Sequence, residues 1–242
     1  MMTYIIIGFV VAFVLLLCFC LAVASFSFDN YNDKLKDLDL KRNSAGISTL
    51  DYVRQINQNS FDNRLRIARC EEYKDHYSKN EVALSDKTMY SNSLASLSIV
   101  SHELGHARQD ASGDKLVRHW KMRKGGRILG ILFMPFMLVG SVFGLLYVFS
   151  ILTPLWTLIV GIGCLALGLL IFVFALVLKY REIQIEKEAS VFALDYLRQF
   201  LSESEVKLCQ EFLNSARLTY WASLFRTMLG WTFLTGKDKM FR

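Results

Sequence analysis

The sequence predicts a mostly helical α+β protein that is held in a membrane by three transmembrane helices. Apolar residues make up 53% of the 242-residue chain, and they are concentrated in three long runs that contain no charged residue. The runs cover residues 5–28, 128–150 and 155–178. Each exceeds the roughly 20 residues that a helix needs to cross the hydrocarbon core of a bilayer. Short strand-like and helical patterns between the first two runs account for the β part of the prediction.

The same patterns divide the chain into four predicted segments. Residues 1–28 form an N-terminal transmembrane anchor, and residues 29–127 form a polar part with its own short strands and helices. Residues 128–178 form a transmembrane helical hairpin, and residues 179–242 form C-terminal helices. Within the last segment, an apolar stripe indicates a helix that packs on the polar part or lies in the membrane interface. A fourth membrane span is the alternative.

The first apolar run is interpreted as an anchor, with a cleaved signal peptide as the alternative. Ala22-Val23-Ala24 resembles a cleavage site, but no Lys or Arg precedes the run, and the run is longer than a usual signal core. Basic residues follow the first run, cluster at 108–127 before the second, and follow the third. Because basic loops remain in the cytoplasm, we expect a multi-pass membrane protein with its polar segments at the cytoplasmic face.

Four short elements are predicted between the first two apolar runs: a helix over 48–59, strands at 65–68 and 81–85, and a helix from Ser91 or Ser93 to about Ala111. The strands belong to a small sheet of two or three strands. Residues 80–85 are either an edge strand that an extended peptide can join or a strand of the core.

The last of these helices carries His102-Glu103-Leu104-Gly105-His106. Two histidines four residues apart lie on one face of a helix, so both imidazoles can reach one metal ion. Glu103 stands beside them, where its carboxylate can take a proton from water activated by that ion. This pattern predicts a zincin-like catalytic domain with one catalytic Zn²⁺ and Glu103 as general base. Two histidines in ordinary structural contacts are the alternative.

A catalytic zinc requires a third protein ligand and an open position. The metzincin pattern, with Gly and His three and six residues after the second histidine, is excluded because Gln109 and Ser112 stand there. A carboxylate from a later helix remains, and the acidic candidates after the third apolar run are Glu182, Glu186, Glu188 and Asp195. Two membrane spans separate them from the histidines, so the chain returns to the side that it left.

These motifs resemble the YugP-like family of membrane neutral zinc metallopeptidases. The likeness lies in residues 102–109, in Glu186-Lys187-Glu188-Ala189-Ser190, in Asp75-His76-Tyr77 and in residues 218–220. The sequence is also similar to the HtpX-type and CAAX-prenyl proteases, which are gluzincins with an ExxxD element on a later helix. The resemblance implies that Glu186 is the third zinc ligand.

The resemblance also implies roles for residues around the zinc. Ser190 stands where the HtpX-type pattern has Asp, and its hydroxyl can hydrogen-bond a zinc-bound histidine; Asp110 and Asp195 are alternatives. His76 and Tyr220 lie in family-like segments and are candidates for stabilising the transition state. An ordinary structural role is the alternative for each of these two residues.

Together these features predict a membrane-bound zinc-dependent endopeptidase that hydrolyses peptide bonds by zinc-activated water. A catalytically inactive zinc-binding membrane scaffold or chaperone is the alternative, although a structural site has no use for Glu103. The expected partners are peptide or membrane-protein substrates and the lipid bilayer. The net charge of +6 comes from basic clusters beside the spans, so no nucleic-acid partner is expected.

Overall fold

The computed structural model describes residues 2–72, 74–113, 115–149, 151 and 154–228. In these ranges the chain forms seven helices and three strands: α1 (Met2–Leu40), α2 (Thr49–Phe61), β1 (Arg66–Cys70), β2 (His76–Ser78), β3 (Glu81–Ser85), α3 (Asp86–Met89), α4 (Leu94–Ala111), α5 (Lys115–Val148), α6 (Leu155–Leu197) and α7 (Glu203–Met228). The predicted fold class, mostly helical with a small sheet, is confirmed.

Three helices are long and apolar enough to cross a membrane: Val14–Leu40, Lys124–Val148 and Leu155–Leu197. They correspond to the three apolar runs of the sequence. The third has 43 residues, and at 1.5 Å per residue it is about 65 Å long. This is about twice the hydrocarbon thickness, so α6 continues well beyond a membrane span as one helix, in keeping with the absence of Gly and Pro between residues 179 and 229.

The chain divides into two units. Of the described residues, one unit contains those up to Ser27, Lys121–Arg181 and 220–228, and it holds the apolar parts of α1, α5 and α6. The other is built from Phe28–Trp120 and Glu182–Thr219. We call them the membrane unit and the polar unit.

In the membrane unit, glycines allow α5 and α6 to approach closely. A Cβ atom at Gly161 would lie 3.0 Å from the backbone nitrogen of Gly144, and one at Gly140 would lie 2.8 Å from that of Leu165. Small residues are common where membrane helices pack, because packing and not the hydrophobic effect holds such helices together. Many large apolar side chains of these helices are exposed, as expected for surfaces in contact with lipid.

The sheet of the polar unit has the strand order β1-β3-β2. β3 is parallel to β1 and antiparallel to β2, with Val82 opposite both Ile67 and Tyr77. β3 is therefore the central strand, its residues 82–85 are buried, and the edge-strand interpretation of residues 80–85 is wrong. Lys79 and Asn80 join β2 to β3 with φ angles of 45° and 65°, the positive values that a two-residue hairpin turn favours.

α4 crosses the core of the polar unit. Its first turn is capped by Ser93, whose side chain accepts a hydrogen bond from the backbone N–H of Ser96. Leu97, Val100 and Leu104 are completely buried in the apolar cluster of this unit, together with residues of α2, β3, α6 and α7. Because this apolar face is fixed in the core, the histidines beside it are held in defined positions.

Candidate metal centre

The histidine motif lies in the second half of α4. The rings of His102 and His106 meet edge to face, with their centroids 4.8 Å apart and their planes at 79°, and they lie on one face of the helix as side chains at positions i and i+4 do. His106 is 8% exposed, whereas His102 and Glu103 are half-buried. One helix therefore presents two imidazoles and a carboxylate on a surface that solvent reaches only partly.

α6 supplies a carboxylate to the same place. The Glu186 Oε2 atom lies 3.0 Å from His102 Nε2 and 3.4 Å from His106 Nε2, and Glu186 is 2% exposed. One ligand atom from each residue can be chosen so that all three lie within 4.8 Å of one another. Across the described residues, this is the set of His, Cys, Asp and Glu side chains grouped closely enough to hold a metal ion.

The outer nitrogens of the two histidines have separate partners. His106 Nδ1 lies 2.9 Å from Gln109 Oε1, and His102 Nδ1 lies 3.3 Å from Ser190 Oγ. The Ser190 hydroxyl donates to the Glu186 carbonyl oxygen at 2.9 Å, so its oxygen is left to accept from His102. Both rings are thus oriented with Nδ1–H outward and Nε2 toward Glu186, the arrangement of metal-binding histidines.

The two helices meet closely because residue 105 has no side chain. A Cβ atom at Gly105 would collide with the carbonyl oxygen of Ala189 on α6. Ala189 is itself completely buried. Glu186, one turn earlier on α6, is brought against the histidines by this contact.

The electrostatics of the cluster favour a cation. Burial by itself lowers the pKa of His106. The Glu186 carboxylate, with smaller contributions from Glu103 and Gln109, outweighs this effect and raises the pKa to about 9. The buried Glu186 carboxylate therefore favours a positive charge beside it. A metal ion would supply that positive charge, and two imidazole nitrogens with one carboxylate oxygen are a donor set that suits Zn²⁺ and leaves one position open.

Glu103 is held by the edge strand of the sheet. Its Oε2 atom accepts a hydrogen bond of 2.8 Å from the backbone N–H of Tyr77 in β2. The Tyr77 hydroxyl donates to Asp110 Oδ2 at 2.8 Å; burial, followed by this hydrogen bond, raises the pKa of Tyr77 to about 12. Both ends of Tyr77 are therefore fastened to α4, and β2 lines the motif.

The other acidic candidates have different partners. Glu188 accepts a hydrogen bond from Gln109 at 2.9 Å, and Asp195 pairs with Arg108 at 3.7 Å. Asp110, an alternative partner for a histidine, bonds Tyr77 instead. Glu182 is 1% exposed, but it is outside the candidate metal set.

The two candidates for transition-state stabilisation lie in different parts of the chain. The His76 side chain is exposed, and its Nδ1 lies 2.7 Å from the carbonyl oxygen of Lys74. Tyr220 belongs to the membrane unit, where Lys179 Nζ lies 5.6 Å from the centre of its ring. The role of each in catalysis stays a prediction.

Sequence reasoning missed two residues of this region. In the sequence, Tyr77 stands out only as part of a family-like segment, and nothing in its position indicates a backbone contact to Glu103. Gln109 did carry a signal, because it stands three residues after His106 and so lies on the same face of the helix.

Comparison with known proteins gives two matches that cover most of the chain. The model of a family described as "Putative neutral zinc metallopeptidase" matches residues 5–234. The "Putative membrane protease YugP" of Bacillus subtilis is 27% identical over 179 residues, which cover 68% of this chain and 71% of that protein. No solved structure matches.

Proposed function

Because the chain belongs to the family of putative neutral zinc metallopeptidases, we propose that it is a membrane-bound zinc endopeptidase of the gluzincin type. The family membership confirms the resemblance found in the sequence. The observation that carries the proposal is the convergence of His102, His106 and Glu186, with Glu103 beside them on the same helix.

In the proposed reaction, the three converging side chains hold one Zn²⁺, which supplies Lewis-acid activation of water and of the scissile carbonyl. Glu103 accepts a proton as the water oxygen bonds to the carbonyl carbon. The same carboxyl then gives this proton to the leaving nitrogen as the C–N bond breaks. The hydrogen bond from Tyr77 N–H holds the Glu103 carboxylate in place for both transfers.

The proposed substrates are peptides or segments of membrane proteins, and the proposed location of the site is the cytoplasmic face. Support comes from the basic residues that flank the apolar runs, and from α6, which carries Glu186 on the same continuous helix as the third span. The name of the Bacillus relative, a putative membrane protease, agrees with this assignment.

The test is cleavage of casein or a fluorogenic peptide by the purified full-length protein with one equivalent of zinc. We expect Glu103→Gln to bind zinc as the unchanged protein does and to lose about 10²–10⁴-fold in kcat, the usual contribution of an acid–base group. Glu81→Gln, which changes a carboxylate that pairs with Arg66 on the neighbouring strand, is the control and should keep full activity. Equal cleavage by Glu103→Gln and the unchanged protein would refute the peptidase proposal.

A second variant tests the ligand set. Glu186→Gln keeps the size of the side chain but removes the charge that a zinc ligand needs. We expect zinc affinity to fall by at least about tenfold, measured by competition with a chelating dye. Asp195→Asn, later on α6, changes a carboxylate that pairs with Arg108 and should keep the affinity, and equal affinities for the two variants would refute Glu186 as a ligand.

A further inference from the structure

Gln109 is completely buried on α4, yet the proposed chemistry gives it no task. Its side chain makes three polar contacts. Oε1 lies 2.9 Å from His106 Nδ1, and Nε2 lies 2.8 Å from the Ile185 carbonyl oxygen and 2.9 Å from Glu188 Oε2. Burying a side-chain amide costs free energy unless its polar atoms are hydrogen-bonded. The three contacts of Gln109 meet this requirement.

The contacts fix which way the amide points. Both partners on α6 are acceptors, a carbonyl and a carboxylate, so the NH₂ end of Gln109 must face α6. The carbonyl end is then left for His106, whose Nδ1 must carry the hydrogen. His106 Nε2 is consequently the atom available for a metal, and it is the nitrogen that faces Glu186.

The same contacts join the two helices that supply the ligands. Ile185 directly precedes Glu186, so the hydrogen bond from Gln109 to the Ile185 carbonyl holds the α6 backbone beside the third ligand. The Glu188 carboxylate accepts from the same amide and polarises it, which strengthens the acceptor that faces His106. On His102 the equivalent contact is the longer one to Ser190, at 3.3 Å.

We propose that Gln109 is a positioning residue of the metal centre: it fixes the tautomer and orientation of His106 and fastens α6 beside α4. The inference rests on the proposed zinc site, but it concerns metal binding and not the cleavage step. Glu188 acts in the same network as the anionic acceptor of the Gln109 amide.

The experiment measures metal binding by full-length protein in detergent, with no substrate present. Gln109→Met keeps the length of the side chain and removes every hydrogen bond. We expect its affinity for Zn²⁺ to be about 10–100-fold lower, the usual effect of removing a partner of a metal-bound histidine. The visible absorption of the Co²⁺-loaded protein should also change, because those bands report the geometry of the ligands.

Asn57→Leu is the matched control for lost stability. Asn57 is a buried amide of α2 that bonds both the N–H and the carbonyl of Leu65, so its loss should destabilise the polar unit while leaving zinc affinity unchanged. If Gln109→Met binds zinc within about twofold of the unchanged protein, well short of the expected loss, the proposal is overturned.

A second pair of variants keeps the test decisive if Gln109→Met does not fold. Gln109→Glu retains an acceptor for His106 but places two carboxylates together, and the double variant with Glu188→Gln restores a donor between the two side chains. The proposal requires the double variant to bind zinc more tightly than Gln109→Glu alone, and equal affinities would refute it. Both comparisons measure zinc affinity and not peptidase activity. They therefore test the role of Gln109 even if the protein proves not to be a peptidase.

Discussion

At the level of single residues, assembly of the metal centre depends on the close contact between Gly105 and the Ala189 carbonyl. The two histidines are fixed by α4, whereas Glu186 reaches them only if α6 packs directly on that helix. A methyl group at position 105 would strike backbone and not a flexible side chain, so the two helices would have to separate.

We therefore expect Gly105→Ala to weaken zinc binding by at least about tenfold, although alanine is the better helix former by about 1 kcal/mol. The reason is that separation of the helices withdraws the Glu186 carboxylate from both imidazoles. Zinc affinity from dye competition is the measurement. Gly126→Ala is the control, because a Cβ at that helical glycine meets no atom within 4 Å; undiminished affinity in Gly105→Ala would contradict the packing described.

The sequence predicted part of this cluster and left part open. The spacing of His102 and His106 on one helix is a local property, and the structure shows their rings in edge-to-face contact on one face of α4. The choice among Glu182, Glu186 and Glu188 was not local, because it depends on which face of α6 meets α4 after two intervening spans. Only the family resemblance singled out Glu186, and the structure places this residue beside both histidines.

At the level of elements, the Glu205 carboxylate in the first turn of α7 holds both the start of this helix and a loop. Glu205 Oε2 accepts from the Ser202 backbone N–H at 2.9 Å and from the Ser202 hydroxyl at 2.7 Å, as in a capping box. The same carboxylate accepts from the N–H and hydroxyl of Ser44, at 2.7 and 2.6 Å. One ionised side chain thus joins the start of α7 to the segment between α1 and α2.

The ionisation of Glu205 makes this contribution depend on pH. Partial burial by itself raises the pKa of Glu205. The hydrogen bonds from Ser44 and Ser202 outweigh this effect and lower the pKa from an ordinary value of 4.5 to about 2. Because the pKa is lower in the folded state, the stabilisation is complete above about pH 4.5 and is lost as the pH falls toward 2.

We expect Glu205→Gln to lower the free energy of unfolding by about 1 kcal/mol at pH 7. The difference from the unchanged protein should shrink as the pH falls below 4.5, because the Glu205 carboxylate becomes protonated first in the unfolded chain and, near pH 2, also in the folded protein. Thermal unfolding of both proteins across this range is the measurement. Glu203→Gln, in the same first turn of α7, is the control, and a difference that stays constant down to pH 3 would contradict the assigned role.

The elements that sequence patterns missed are the short ones. β2 has three residues of which only Tyr77 is buried, too few for an alternating pattern to be visible. Its position at the edge of the sheet comes from the positive φ angles of Lys79 and Asn80, which turn the chain back onto β3. The long helices were predicted correctly because their apolar runs and the caps at Ser48 and Ser93 are strong local signals.

At the level of the whole molecule, the proposed ligand set constrains how the chain crosses the membrane. His106 and Glu186 are separated in sequence by two apolar runs, residues 128–150 and 155–178, and both must be on one side of the membrane to bind one ion. An even number of crossings between them meets this condition. The turn between α5 and α6 should then be exposed on the opposite side, and the basic residues around the polar segments favour the cytoplasm for the metal centre.

Labelling of single cysteines tests this arrangement in a background in which the five native cysteines are replaced. Ile151→Cys places the thiol in the turn between α5 and α6, where the native side chain is 67% exposed, and Gln58→Cys places it on the exposed face of α2. If the proposed orientation holds, a membrane-impermeant maleimide should label Ile151→Cys in intact cells and should label Gln58→Cys only after permeabilisation. Retained zinc binding by the cysteine-free protein is the control. The reverse labelling pattern would show that the protein has the opposite orientation with the hairpin retained. Equal labelling of the two positions in intact cells would contradict the hairpin itself.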